Sequence, residues 1–121
     1  MFSAERAFTA DDVAEFARLS HDANPIHLDH TAAARAGFPG PVVHGMLCAS
    51  LFGAIIGTRF PGAVYATQSL AFRAPVLVGE SVVAEVQLTK IGGTRAFFAT
   101  RVRRGEDVVL DGTALALLPK R

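Results

Sequence analysis

Val43-His44-Gly45-Met46-Leu47-Cys48-Ala49-Ser50-Leu51-Phe52-Gly53-Ala54-Ile55-Ile56-Gly57 is the stretch on which the fold turns. Apart from the Cys48 thiol, His44 is the one residue in it that can carry charge near neutral pH. A helix that is apolar on every side must be buried on every side. Its length, about fifteen residues, falls short of the roughly twenty that a bilayer demands, so it reads as a core helix of a globular domain. Gly45, Gly53 and Gly57 would each cost an exposed helix about 1 kcal/mol relative to alanine. They read instead as points where another backbone comes close, with Gly57 also placed to end the helix.

The chain after this helix supplies the surface that buries it. Beyond Pro61-Gly62 the period of the apolar residues switches to two. Ala63 to Arg73 reads as one strand. Val82, Ala84, Val86 and Leu88 alternate with Val83, Glu85, Gln87 and Thr89, the clearest strand pattern in the sequence. Gly92-Gly93 turns it into a second strand, Thr94 to Arg103, and Arg104-Gly105-Glu106-Asp107 leads into a last one, Val108 to Leu118. Ala4 to Phe8 can add an edge strand. Helices followed by strands point to an α+β layer, an antiparallel sheet curved around the apolar helix. Such a sheet has open edges, and pairing an edge with a second copy protects it; a homodimer is the expectation.

Before the helix, Phe8-Thr9-Ala10-Asp11-Asp12-Val13 has the marks of a helix start. Thr9 can cap, Asp12 stands three residues on, and Phe8 can pack on Val13. This helix places Val13, Phe16, Ala17 and Ser20 on one stripe and should stop near Asn24-Pro25. A short helix is expected from Asp29, as cap, to Gly37, as terminator. Phe38-Pro39-Gly40-Pro41 is a loop by composition.

Residues 1–121 read as one domain, half of it apolar and less than a fifth charged. The net charge of +1 gives no electrostatic case for nucleic acid or an anionic membrane. The N-terminus shows no signal-peptide pattern, and Cys48 is the single cysteine. Cys48 therefore has no internal disulfide partner and reads as a buried, inert thiol, which fits a reducing cytoplasm.

Chemistry concentrates in His21-Asp22-Ala23-Asn24-Pro25-Ile26-His27. On an unbroken helix Asp22 and His27 would point roughly 140° apart at about 100° per residue. Pro25 forbids that course, because it removes a backbone donor and drives Asn24 out of the α region. Asp22 is then expected in the last turn of a helix and His27 on the loop beyond, both free to face one cavity. A base and an acid so placed are what adding water to a double bond requires. The plainer reading of Asp-x-Asn-Pro is a helix end, with Asp22 or Asn24 as cap and His27 packed in a loop. No Cys/His cluster or His-x-x-x-His spacing signals a metal.

Residues 20–27, Ser-His-Asp-Ala-Asn-Pro-Ile-His, resemble the signature of the MaoC-like, (R)-specific enoyl-CoA hydratases. The resemblance continues through Pro41 to Leu47, Ala49 to Phe52, Gln68 to Val76 and Val78 to Glu80, in the family's order. It implies a single hotdog domain, usually dimeric, acting on acyl-CoA thioesters with no metal or redox cofactor, coenzyme A being part of the substrate. It implies reversible hydration of trans-2-enoyl-CoA to (R)-3-hydroxyacyl-CoA, with Asp22 and His27 as the catalytic pair and Asn24 in the same motif. It also points to the Gly45 N–H as a donor to the thioester oxygen.

Two positions depart from the family pattern: His21 stands where Gly or an acid is common, and Gly53 where some members carry serine. His44 could stand near the thioester, or cap the buried helix and satisfy a loop carbonyl; the second role is favoured. Arg73, Lys90 and Arg95 could meet coenzyme A phosphates or be solvated strand ends. His21 and His30 read as surface residues. Met46, Phe52 and Ile55 read as core, with one or two of them lining an acyl tunnel. An acyl-CoA thioesterase is the alternative enzyme, although Val43 to Gly57 holds no Asp or Glu. A non-catalytic acyl-CoA-binding hotdog subunit is the alternative from another class.

Overall fold

The computed structural model describes residues 1–120. In chain order the elements are β1 (Phe2–Ala7), α1 (Ala10–Ser20), α2 (Pro25–Leu28), α3 (His30–Arg35), α4 (Gly45–Arg59), β2 (Val64–Gln68), β3 (Ala71–Phe72), β4 (Ser81–Gly92), β5 (Arg95–Arg104) and β6 (Asp107–Leu117). The strands form one antiparallel sheet in the order β1-β4-β5-β6-β2, with β3 also paired to β6. Helix α4 lies across β4, β1 and β5. This is the helix wrapped by a curved sheet that the sequence implied.

The inner face of the sheet explains how the helix comes so close. Val82, Ala84 and Val86 of β4, Ala96 and Phe98 of β5, and Ala114 and Ala116 of β6 are all buried. Small alanines at facing positions leave room for Phe52 and Ile56 of α4, which are 0% and 2% exposed. Register shifts at Leu88/Lys90, Val102/Arg103 and Tyr65/Thr67 bend the sheet around them.

Several local expectations hold in detail. Thr9 Oγ1 accepts from Asp12 N at 3.1 Å while Asp12 Oδ2 accepts from Thr9 N at 2.9 Å, a complete capping box. Asp29 caps α3 through Thr31 N. Gly37, at φ +92°, ends α3, with Phe38 N returning to Ala33 O.

Other details differ. Helix α4 runs two residues past Gly57, whose α-carbon faces open space, so Gly57 is neither a terminator nor a close approach. Gly45 and Gly53 face the side chains of Phe72 and Tyr65 rather than another backbone. Nor is α4 covered on all sides. Met46, Ser50 and Ala54, four residues apart, form an exposed stripe along it, and Met46 is 57% exposed instead of core. The hairpin turn after β4 falls at Gly93-Thr94, one residue late, because Gly93 takes the positive φ of +62°.

The strand expected over Ala63 to Arg73 is split. At the break Ser69 N donates to Thr113 O at 2.8 Å and Ser69 Oγ accepts from Thr113 N at 2.9 Å, so a side chain replaces one rung of the ladder. The Ser69 carbonyl then lies directly over Gly112, where any Cβ would overlap it.

Gly112→Ala should therefore destabilise the fold by about 1–3 kcal/mol, the usual cost of forced overpacking, measurable as a lower urea midpoint. Burial raises the Cys48 thiol to a pKa of about 11. At pH 8 the native protein should leave a disulfide-exchange reagent unconsumed, and urea should release one reactive thiol per chain.

Candidate active site

The Asp22/His27 geometry comes from how α1 ends. Helix α1 stops at Ser20, earlier than expected, because His21 turns into the left-handed region at φ 64°. Asp22 thus lies on the loop after the helix, not in its last turn. His27 lies on a helix, not on a loop. Pro25 opens the single turn α2 at a position where a missing N–H costs nothing, and Asn24 Oδ1 caps it by accepting from Ile26 N at 3.3 Å. The proline that breaks one helix begins the next.

The two side chains do face each other. His27 Nε2 is 4.0 Å from Asp22 Oδ2, with the imidazole nearly buried and the carboxylate half exposed. His27 Nδ1 is 2.6 Å from Val42 O. A carbonyl oxygen can only accept, so Nδ1 carries a proton and Nε2 is turned to Asp22. Asp22 Oδ1 accepts from Asn24 N at 3.2 Å, which steadies the carboxylate. A gap of 4.0 Å is too long for a direct bond but admits one water within about 2.8 Å of each partner.

His44 lies directly behind the pair. It occupies the N-cap position of α4, yet its side chain does not cap the helix. Its Nε2 lies 3.0 Å from the backbone carbonyl of Asp22, so the loop-carbonyl half of the expectation holds and the capping half does not.

Asp22, His27 and His44 each present a ligand-type atom within 4.8 Å of the others, a convergence that spacing along the chain did not reveal. Two donors on one zinc at about 2.1 Å each stand at most about 4.2 Å apart, and clearly less in a tetrahedral shell. The wider spacing suits a bridging water better than a closed metal shell.

These residues line a cleft of about 510 Å³ with Phe38, Gly45, Met46, Phe72, Arg73 and Val76 on its walls. The first bonds of α4 run from Leu47 N and Cys48 N to His44 O, which leaves the N–H groups of Gly45 and Met46 without intrahelical partners at the cleft. The positive end of the helix dipole lies there too. Phe72 stands over Gly45, and a Cβ at Gly45 would lie 2.5 Å from Phe72 Cε1.

The remaining candidates divide. Arg73 lines the cleft but also donates through Nε to Asp111 Oδ2 at 2.9 Å, a hydrogen bond that raises its pKa further. Asn24 is outside the cleft lining and serves as a cap. Lys90 lies over the Phe97 ring, and Arg95 begins β5 beyond the hairpin turn; neither lines the cleft. His21 and His30 are exposed, as expected. Sequence reading missed Phe72 as a cleft residue and the stacking of His44 on His27. A ring at a strand end carries no motif of its own, and stacking needs three-dimensional proximity.

Comparison with known proteins agrees with this geometry. The family model described as a MaoC like domain matches residues 1–111. An (R)-specific enoyl-CoA hydratase of Aeromonas caviae is 44% identical over 119 residues, covering 94% of this chain and 89% of its own. A mitochondrial 3-hydroxyacyl-[acyl-carrier-protein] dehydratase, FERN, of Solanum lycopersicum is 43% identical over 119 residues, covering 94% of this chain and 72% of its own. The solved structure of an (R)-hydratase from A. caviae involved in PHA biosynthesis superposes with a TM-score of 0.93 at 42% identity, covering 98% of this chain and 93% of that one. Sequence motif, wrapped sheet and relatives of nearly full coverage converge: this chain belongs to the MaoC-like domain family and has its hotdog fold.

Proposed function

We propose that this chain reversibly hydrates trans-2-enoyl-CoA thioesters to (R)-3-hydroxyacyl-CoA, with Asp22 and His27 handling the proton. The observation that carries this reading is the 4.0 Å gap between His27 Nε2 and Asp22 Oδ2 at the wall of an apolar cleft. A water held there attacks C3 of the enoyl thioester. The proton it loses passes to the pair and returns from it to C2 on the same face of the alkene. Every atom of water ends in the product and the pair ends as it began.

Negative charge develops on the thioester oxygen as C3 is attacked. The Gly45 N–H at the start of α4 is the preorganised donor for it, and such donors supply a large share of catalysis. Arg73 is the one Lys or Arg among the described residues lining the cleft, and we assign it to coenzyme A phosphate. No redox carrier or metal is called for, since the bonds made and broken are those of water and an activated alkene. The (R) hand is taken from the A. caviae relative.

The working unit in this proposal is a homodimer. The edge strand β2 is largely exposed, with Val64 at 61%, and the open Met46/Ser50/Ala54 stripe of α4 supports the same reading. We place the protein in the cytoplasm on the strength of its lone thiol, with the mitochondrial relative marking the alternative that cell fractionation would test.

With purified protein and crotonyl-CoA, the conjugated enoyl-thioester absorbance should fall without release of free thiol; thiol release instead would identify a thioesterase. Asp22→Asn and His27→Ala should each lose about 10²-fold or more in turnover while keeping their circular-dichroism spectra. Near-normal turnover in either folded variant would remove that residue from the mechanism. Light scattering should give twice the 12.8 kDa chain mass; the single-chain mass would count against the dimer.

A further inference from the structure

His44 is a buried titratable group beside the pair that the proposed chemistry leaves unused, and its surroundings are unusual. It is 2% exposed. Its Nε2 meets the Asp22 carbonyl at 3.0 Å, while Nδ1 is enclosed with no partner among the described residues. Its ring stacks on His27 with centroids 3.8 Å apart and planes 25° apart, and also packs on Phe16 of α1 at 4.8 Å.

The hydrogen-bond partner fixes the tautomer. A carbonyl accepts, so Nε2 carries the proton, and a second proton on Nδ1 would point at no acceptor. That second proton would also set a cation face to face with His27. As a packing element alone, histidine is a poor choice here, because a phenyl ring would fill the space without a stranded nitrogen. What a phenyl ring lacks is the Nε2–H that reaches Asp22. His44 is thus a single side chain that touches both members of the pair from their buried side: the backbone of one and the ring face of the other.

We infer that His44 is a positioning residue for the Asp22/His27 pair, its Nε2–H anchoring the Asp22 loop and its ring face holding the His27 imidazole edge-on to the water site. Together with Val42 O at His27 Nδ1, this gives the imidazole both a fixed tautomer and a fixed plane. Its catalytic consequence rests on the reaction proposed above, but the arrangement can be tested without it.

The test compares wild type with two variants that divide the role. His44→Phe keeps the stacked ring and loses the donor; His44→Gln keeps a donor at the Nε2 position and loses the ring. Misplacing a reacting group by about 1 Å costs on the order of 10²-fold. In crotonyl-CoA hydration His44→Phe should lose kcat to that extent with KM within about threefold of wild type, and His44→Gln should recover about tenfold of the loss. A folded His44→Phe with kcat within about threefold of wild type would overturn the inference, as would a rise in KM alone, which would make His44 a substrate contact.

Nitrogen-15 spectra of the histidine side chains supply the reading that needs no turnover. Wild type should show a slowly exchanging proton on His44 Nε2, and His44→Phe should speed exchange at His27 Nδ1. A wild-type proton on His44 Nδ1 overturns the inference. If wild type hydrates no enoyl thioester, the proposed reaction fails, and these spectra alone decide whether His44 holds the pair. If His44→Phe does not fold, the wild-type spectrum and His44→Gln decide it.

Discussion

Everything in this molecule depends on the burial of one apolar helix and on how the chain enters it. Val42, Val43 and His44 run into α4 and are buried, and each is tied to a different part of the fold. Val42 N donates to Ile26 O, Val43 N donates to Val76 O at 2.7 Å, and Val42 bridges Leu77. The same three residues supply the acceptor for His27 Nδ1 and the donor to the Asp22 carbonyl. Hydrophobic burial of α4 drives the segment into place. Its backbone polar groups, taken out of water, must then find partners, and several of those partners belong to the candidate site.

This coupling gives the site its rigidity at small cost. A loop carrying a carboxylate and a four-residue helix carrying an imidazole are weak structural elements by themselves. Here both are pinned to the start of a fifteen-residue helix whose inner face is in the core. A second brace acts on the segment bonded to this entry. Arg104 Nη1 donates to Pro75 O at 2.7 Å and to Glu80 Oε1 at 3.1 Å, while Glu80 Oε1 also accepts from Leu77 N. That ties down the loop carrying Val76 and Leu77, on which the entry segment leans. Preorganised donors and fixed rotamers are what acid–base and oxyanion chemistry needs, because neither tolerates displacement.

The helix start joins structure to chemistry in a second way. Free N–H groups at the first turn are a liability when buried and an asset when they face a ligand. Gly45 places them at the cleft and lets another group approach the backbone closely. In this structure the approaching group is the Phe72 ring, which is 55% exposed. A substrate thioester would have to share this end of the helix with that ring.

The sequence by itself determined the class of fold and singled out the candidate pair Asp22 and His27. A fifteen-residue run with almost no polar residue reads as a helix with most of its surface in the core. A strict period of two over Val82 to Leu88 can only be a half-buried strand. Asp-x-Asn-Pro-x-His carries a spacing that makes chemical sense once proline breaks the helix. These signals are local, so they survive in one dimension.

Tertiary structure decided what depends on distance. Asp22 and His27 exchanged their expected settings, loop for helix, because a left-handed His21 ended α1 early and Pro25 served as the first residue of a new turn. Gly57 neither ended α4 nor met a neighbour, since what faces a glycine is set by other elements. Met46 left the core for the cleft because α4 is covered on one broad face only. The break between β2 and β3 follows from Gly112, more than forty residues away, and no pattern near Ser69 announces it. His44 came to bear on both members of the pair for the same reason. It stands seventeen positions beyond His27 in the chain, and the ties of the α4 entry segment to Ile26 O and to the Asp22 carbonyl bring the two rings to 3.8 Å.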